Sequence, residues 1–560
     1  MSNRGKLEDI KKRAEEWNTR LANVREKRPP DQFVTDSGIP IKKLYTPCDI
    51  ENIDYLNDIG FPGEPPYVRG IYPTMYRERP WTMRLFSGHG TPEETNKRWK
   101  FLYENGETGF SAAVDVLTFN GLDPDDARGD LEVGTTGVPL YCLDSMFALT
   151  DGIPHDKVSV ALVVEPFSSA PVCAMYFNCC MDKRLDLKTI SGTTQNDILT
   201  QTLGYVPYKN VAPQHLLRFA CDLIEYTTAQ GNVPLWHPIN FTGYNYREGG
   251  IDAVQELGFV FSNATAHIDE LVKRGYAPDQ FVSRLAFHLS AHKDFFEEIA
   301  KYRAARRIWY TLMKDRYECR DKQSYEFRFH VQTAGSSLTA QQPMVNVVRT
   351  AIQALEAVMG GCQSLHTNSY DEAICLPSEE AVLVALRTQQ MIQDETRVPY
   401  TIDPLAGSYF IEYLTAELEK RVWKYMDDIE KAGGIVKALE SGWLYREMRD
   451  AFKKRQANIE AGIEGMIGVN LYVTNEAYHV PAVFRTNPEA MRIEQERVNK
   501  LRKNRDKDKF AKVMDKLRKV VESGENVMPV MMEATKLATT GEICNIYREV
   551  LGIWDPPIVV

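Results

Sequence analysis

HPINFTGYNYREGGIDAVQELGFVFSNATAHIDELVKRG, residues 237–275, holds a complete strand–turn–helix unit in one stretch. Its first part, HPINFTGYN, is a short β-prone run that closes on polar residues, and YREGG then makes a turn. Beyond it Val254, Leu257, Phe261, Ala264, Ile268 and Leu271 recur every three or four positions, which puts their apolar side chains on one face of a helix. Gly275 supplies the stop. A strand feeding a long amphipathic helix is the repeating unit of parallel α/β folds.

The same unit recurs in both directions. TGFSAAVDVLTF (108–119), VSVALVV (158–164), KTISGTTQND (188–197), SRLAFHLS (283–290), FRFHVQTAG (327–335) and QSLHTNSYDEA (363–373) are further β-prone runs. Most lie about 30 to 45 residues apart, the length a strand and its crossover helix need. MRLFSG (83–88) adds an eighth. Eight such units predict a (β/α)8 TIM barrel over residues 80–400. A doubly wound open sheet competes, but no run is followed by GxGxxG or GxxxxGK[ST]. Residues 1–79 read as a charged helix and a Pro-rich extended arm, suited to packing against the body or a partner subunit. Residues 401–560 read as a mainly helical region. Within it KLRKNRDKDKFAKVMDKLRK (500–519) mixes signs, and Asp506, Asp508 and Asp515 would repel phosphates, so a solvated helix is expected.

Bulk properties narrow the function. Among 560 residues, 77 acidic against 67 basic give a formal charge of −10, which offers no reason to expect nucleic acid as partner. Hydrophobic and charged shares of 43% and 26% are those of a soluble globular protein. The sequence has no apolar run to span a bilayer and residues 1–28 do not read as a signal peptide, so a cytoplasmic location is expected. The ten cysteines form no CxxC, and adjacent Cys179 and Cys180 suit reduced, buried thiols. His288 and His292, four apart, could share a helix face, but no Glu or Cys stands at a supporting interval and no metal site is predicted.

In a barrel of this kind chemistry belongs at the C-terminal strand ends. Here these carry Thr193 and Gln195, Tyr244 and Asn245, His330 and Gln332, His366, Asn368 and Glu372. They form no Ser/His/Asp arrangement and no pair of carboxylates at one strand end. A mouth rich in amides and aromatics but poor in acids and bases suits chemistry carried by an organic cofactor.

YPTMYRERPWTMR (72–84), SGTTQNDIL (191–199), RAARRIW (303–309), NVVRTAIQALEAVMGGCQSLHTNSYDEA (346–373) and DPLAGSYFIE (403–412) closely resemble the large, catalytic subunit of the methylmalonyl-CoA mutase family. The resemblance runs from about residue 40 to the end. It implies an adenosylcobalamin-dependent acyl-CoA mutase in which the CoA tail threads the barrel axis, cobalamin lies over the strand ends, and cobalt–carbon homolysis starts a radical rearrangement in a water-free interior. The positions matching the family's CoA contacts are Tyr72, Thr74, Met75, Arg79, Thr82, Arg84, Ser111, Thr193, Gln195, Arg284, His330, Gln363 and Ser364. Ala161 and Val163 match contacts but lack the family's hydroxyls. The positions matching corrin and adenosyl contacts are Val114, Phe119, Thr136, Glu248, Gln332, Glu372 and Ala373, with Glu248 suited to ribose hydroxyls. Single-chain mutases add a DxHxxG cobalamin domain after the barrel. This sequence has no DxHxxG, so a separate small subunit carrying the cobalamin is expected, in a complex of two large and two small subunits.

The departures bear on substrate. Phe86 stands where methylmalonyl-CoA mutase has Tyr and the isobutyryl-CoA relative has Phe. Tyr205 stands where the family's carboxylate-pairing Arg would be, and a buried carboxylate without that partner would cost several kcal/mol. Ala113 replaces the Asp that binds a substrate hydroxyl in the 2-hydroxyisobutyryl relative. Asn245 replaces the family's His on the thioester carbonyl; its amide can donate a hydrogen bond but not a proton. Phe86, Tyr205 and Tyr244 together imply an aromatic, charge-poor pocket, with Asn245 and Gln195 beside the reacting group, for a branched or aryl-bearing acyl-CoA. Two alternatives stay open: a substituted malonyl- or succinyl-CoA with an aromatic side group, if Arg247 or Arg84 meets its carboxylate, and a degenerate acyl-CoA-binding subunit. Glu165 is expected to pair with Arg247 or, as the alternative, to contact a polar group of the substrate.

Overall fold

The computed structural model describes residues 3–21, 29, 32–129, 133–200, 203, 210–474 and 485–557. Two five-stranded parallel arcs form its centre. Their edge strands are successive pieces of the same two segments, so the arcs share eight strand segments in all: β1 (Thr82–Met83 and Phe86–Ser87), β2 (Gly109–Ala113), β3 (Ser159–Val163), β4 (Gly192–Gln195), β5 (Trp236–His237 and Ile239–Thr242), β6 (Leu285–Ala291), β7 (Phe329–Thr333) and β8 (Ser364–His366). β1 pairs with β8 through its first piece and with β2 through its second. β5 pairs with β4 and β6 in the same divided way. Pro238, which has no N–H to give a ladder, sits at the break in β5. This is the (β/α)8 architecture the spacing predicts.

Alternation along the strands separates core from axis. Phe110, Ala112, Val160 and Leu162 join one apolar cluster with the surrounding helices, and Phe287, Leu289, Val331 and Leu365 join another. Between them, in register, stand Ser111, Ala161, Thr193 and His237 on β2–β5. His288, His330, Ser364 and Thr82 do the same on β6, β7, β8 and β1. A barrel interior is ordinarily filled by bulky branched residues. Here several of these register positions carry small or hydroxyl side chains, and the axis stays open.

The helix read from periodicity spans Ala253–Lys273, begins at an Asp252–Gln255 capping box, and is followed by Gly275 at a φ of +94°. The strand before it ends at Thr242, and Tyr244–Glu248 forms a helical turn, so Asn245 stands on that turn and not at a strand end. Leu285–Ala291 is a strand, as the SRLAFHLS run predicts, so His288 and His292 share no helix face. No group of three metal-ligating side chains occurs among the described residues.

The N-terminal helix spans Asn3–Leu21. Later in the arm a tight turn, Thr35–Ile39, closes with Thr35 N–H donating to the Ile39 carbonyl (2.9 Å). The helix Tyr409–Lys431 packs on the barrel, where Arg303 holds Glu412. The 500–519 stretch divides between Ala490–Asn504 and Lys507–Ser523, with Asp506 capping the second helix. Its arginines are less solvated than expected: Arg502 bonds Asp123 and Asp125, and Arg505 bonds Glu542. No helix among the described residues is long and apolar enough to cross a membrane.

Candidate active site

A cavity of about 720 Å³ runs along the barrel axis. Its lining residues come from two levels. Arg79, Lys157, Arg284 and Arg328 precede β1, β3, β6 and β7, so they stand at the N-terminal face of the barrel. Arg79 lies over the Tyr72 ring at 5.9 Å. Arg328 pairs with Glu326, leaving the mouth with an excess of cations. Further in, Thr82, Ser111, Ser159, Thr193, Gln363 and Ser364 present short polar groups. The Thr193 hydroxyl, the Asn240 side-chain oxygen and His330 Nε2 are buried with no protein hydrogen-bond partner. Such atoms cost stability unless a ligand satisfies them. A cationic mouth leading to a narrow polar bore matches an anionic head on a thin amide-bearing tail.

At the upper end the lining turns aromatic. Phe86 stacks on His288 (5.9 Å, 23°), and His288 stacks on Tyr244 (5.2 Å, 3°). His366 Nδ1 accepts from the Phe86 N–H at 2.9 Å, which fixes the start of this stack. Burial lowers the His288 and His366 pKa values to about 3 and pushes His330 well below its ordinary range. All three imidazoles are therefore neutral at neutral pH. Gln195 lines the cavity at the end of β4.

Above the stack lies the rim. On the Tyr244–Glu248 turn, the Tyr244 hydroxyl accepts from Gly335 N–H (3.4 Å), and Glu248 accepts from Ser336 N–H (2.6 Å) and Oγ (3.2 Å). Gln332 donates to Asn368 (3.1 Å). Burial raises the Glu248 carboxyl to about 7. Glu372 is exposed on the rim, and desolvation together with the nearby Glu248 raises its carboxyl to about 7. Across the rim the loops after β1 and β2 interlock: Gly90 donates to Gly134 O (2.8 Å) and Gly137 to Gly88 O (3.1 Å). A Cβ at Gly134 or Gly137 would lie 2.2 or 2.3 Å from a backbone oxygen, so only glycine lets these backbones approach so closely. Thr136 is exposed on these loops, above buried Val114 and Phe119. The carboxyl and amide groups of Glu248, Gln332 and Glu372 at the rim have the chemistry to hydrogen-bond the amide edges and sugar hydroxyls of a cobalamin.

Of the matched CoA positions, Tyr72, Arg79, Thr82, Arg84, Ser111, Thr193, Gln195, Arg284, His330, Gln363 and Ser364 line the cavity together with Ala161 and Val163. Thr74 and Met75 do not. Thr74 bonds Glu78 at the surface, and Met75 is buried with its side chain against Gly70 and Gly361. Arg84 is held inside by Phe110 O (2.7 Å) and Ser159 Oγ (2.5 Å). Ala113 and Asn245 are half-buried near the top, outside the cavity lining, and Ala373 is exposed on the rim. Tyr205 lies outside the described residues. Arg247 is buried and bonded to Asp36 and Glu298 (both 3.2 Å), which corrects its expected pairing with Glu165. Lys157, Arg328, Asn240 and His288 were not singled out as site residues from the sequence; the signal that could have found the two cations is a basic residue directly before a β-prone run.

Residues 34–553 match the family model described as methylmalonyl-CoA mutase. The chain is 40% identical over 544 residues to the 2-hydroxyisobutanoyl-CoA mutase large subunit of Aquincola tertiaricarbonis, covering 96% of this chain and 95% of that one. It is 36% identical over 520 residues to the methylmalonyl-CoA mutase of Rhizobium meliloti (strain 1021), covering 92% and 72%. With the mitochondrial methylmalonyl-CoA mutase of Homo sapiens the identity is 34% over 541 residues, covering 96% and 71%. Near full-length matches of this strength, together with the open barrel axis, place the chain in the methylmalonyl-CoA mutase family, cobalamin-dependent isomerases that act on acyl-CoA thioesters as intramolecular transferases.

Proposed function

We propose that this chain is the substrate-holding large subunit of an adenosylcobalamin-dependent mutase that rearranges the carbon skeleton of a branched or aryl-bearing acyl-CoA, and not of methylmalonyl-CoA. The observation that carries the reading is the Phe86–His288–Tyr244 stack. Phe86 and His288 wall the upper cavity with neutral rings, Tyr244 backs them from outside the lining, and the two arginines that could meet a substrate carboxylate already have partners: Arg84 the Phe110 carbonyl and Ser159, Arg247 Asp36 and Glu298. A carboxylate brought beside these rings would meet no cation there.

The roles divide along the axis. Arg79, Lys157, Arg284 and Arg328 grip phosphates, and Ser111, Thr193 and Ser364 hydrogen-bond the pantetheine amides. Gln195 and Asn245 hold the acyl end, where the Asn245 amide polarises the thioester carbonyl. Glu248, Gln332 and Glu372 hold the corrinoid and its adenosyl group, with Val114, Phe119, Thr136 and Ala373 around it. When bound, that group supplies a carbon-centred radical. The chain's part is to keep the radical's surroundings dry and the acyl carbons fixed. A separate small subunit carries the corrinoid, in a cytoplasmic complex of two large and two small subunits; the relative named as a large subunit supports this division.

The test mixes the complex with isobutyryl-CoA, 2-phenylpropionyl-CoA or methylmalonyl-CoA and follows cob(II)alamin by absorbance and electron paramagnetic resonance. A signal with either of the first two and none with methylmalonyl-CoA is expected. A signal with methylmalonyl-CoA alone contradicts the substrate reading, and silence with every thioester favours a binding subunit without turnover.

A further inference from the structure

The N-terminal arm reaches the chemical face of the barrel. Its Thr35–Ile39 turn sits against the segments that follow β5 and β6. Asp36 Oδ2 lies 3.2 Å from Arg247 Nη2 and 3.6 Å from His292 Nδ1, while the Asp36 N–H donates to Asp294 (3.2 Å). The neighbouring Ser37 N–H donates to Glu297 (3.2 Å), and its carbonyl accepts from Arg421 (3.0 Å). Arm, barrel and C-terminal helix thus meet at one point, and that point is directly beneath the Tyr244–Glu248 turn.

The turn has two faces. Tyr244 and Glu248, one helical turn apart, reach up to Gly335 and Ser336. Tyr246 and Arg247 reach down: Tyr246 donates to Asp197 (3.0 Å), and Arg247 donates to Ile251 O, Asp36 and Glu298. Only a short helix lies between, too short to hold its own shape in water. Its conformation therefore depends on the contacts at both faces, and the arm supplies one of the downward ones. Arg247 is 2% exposed and Glu298 is fully buried, and Lys301 neutralises Glu298 from the other side. The Asp36 side chain is 34% exposed, so losing its charge weakens the hold on buried Arg247 while Glu298, 3.2 Å away, still pairs with it. Burial alone would raise the Asp36 carboxyl, but His292 and Arg247 outweigh it and hold Asp36 well below the usual carboxylate range. The anchor is ionised across the physiological range.

We infer that Asp36 and Arg247 are positioning residues: the arm acts as a latch that fixes the turn bearing Asn245 and Glu248, so the arm is a working part of the reaction site. The inference rests on the proposed roles of those two residues for its consequence, and on the contacts above for the latch itself.

Hydrogen–deuterium exchange on the full chain tests it. In Asp36→Asn, which keeps shape and loses charge, peptides covering 243–252 are expected to exchange about threefold to tenfold faster, since a partly exposed carboxylate contributes less than a buried one. Peptides of β2–β4 keep their wild-type rates, and Asp36→Glu recovers part of the protection. Unchanged exchange in 243–252, or a uniform rise across the barrel without recovery in Asp36→Glu, overturns the latch. Titration with coenzyme A runs alongside. Wild type and Asp36→Asn are expected to bind it equally, because the cationic mouth lies at the other end. A wild-type chain that does not bind coenzyme A undercuts the proposed function, and the exchange result still decides the latch.

Discussion

The two ends of the barrel axis carry opposite chemistries. The N-terminal mouth is cationic, with Arg79, Lys157, Arg284 and Arg328 around a solvent-facing opening. The upper end carries stacked rings among which burial keeps the histidines uncharged. The difference separates holding from reacting. Charge is useful where a ligand's anionic head stays near water; farther in, Arg84 apart, the lining is polar but neutral, and such groups cost less to desolvate than ions. A ligand shared between the ends must be anionic at one terminus and apolar at the other, which describes an acyl-CoA.

The sharpest way to break this comparison is at the mouth. Reversing two cations, Arg284→Glu with Arg328→Glu, is expected to weaken coenzyme A binding about a hundredfold or more, since each loses a charge-assisted contact and adds repulsion. Calorimetric titration measures it, and an unchanged affinity would show that the mouth does not hold the phosphates. At the other end, Phe86→Ala is expected to destabilise the fold by about 1–3 kcal/mol in urea unfolding while coenzyme A affinity stays within about twofold. Asn245→His sharpens the division further: radical formation should shift toward isobutyryl-CoA, again with coenzyme A affinity unchanged. An unaltered thioester preference would remove Asn245 from the acyl end.

Much of this was legible in the sequence. The 254–271 periodicity located a helix that spans Ala253–Lys273, and the β-prone runs gave all eight strands. Motif resemblance placed most of the cavity-lining polar residues. What escaped is non-local. Arg247 meets Asp36 across 211 positions, and no local pattern connects them. β1 is short and divided, so its alternation is too brief to mark which residues face inward. Lys157 and Arg328 become one site only once the strands are aligned in a ring. Asn245 was expected at a strand end because YNYRE has no helical period of its own; the contacts at its two faces impose the turn.

The smallest expected effect concerns pH. Glu107 is buried, and desolvation raises its carboxyl from an ordinary value of 4.5 to about 8. The folded state then binds more protons than the unfolded state between those values, so stability falls as pH rises through that window and levels off above it. Glu107→Gln should flatten this slope in melting temperatures measured from about pH 5 to about pH 9. An unchanged slope would mean that other buried carboxyls, such as Glu297, also raised to about 8 by burial, dominate.

The claim on which the rest depends is that the axis is a bore for a thioester's tail. Ala161 lines it midway. Calorimetric titration of coenzyme A into the wild-type chain and into Ala161→Phe tests this directly. The account expects saturable one-to-one binding by the wild type and none by the plugged variant, with the variant's circular dichroism unchanged. Equal binding by both chains would contradict it.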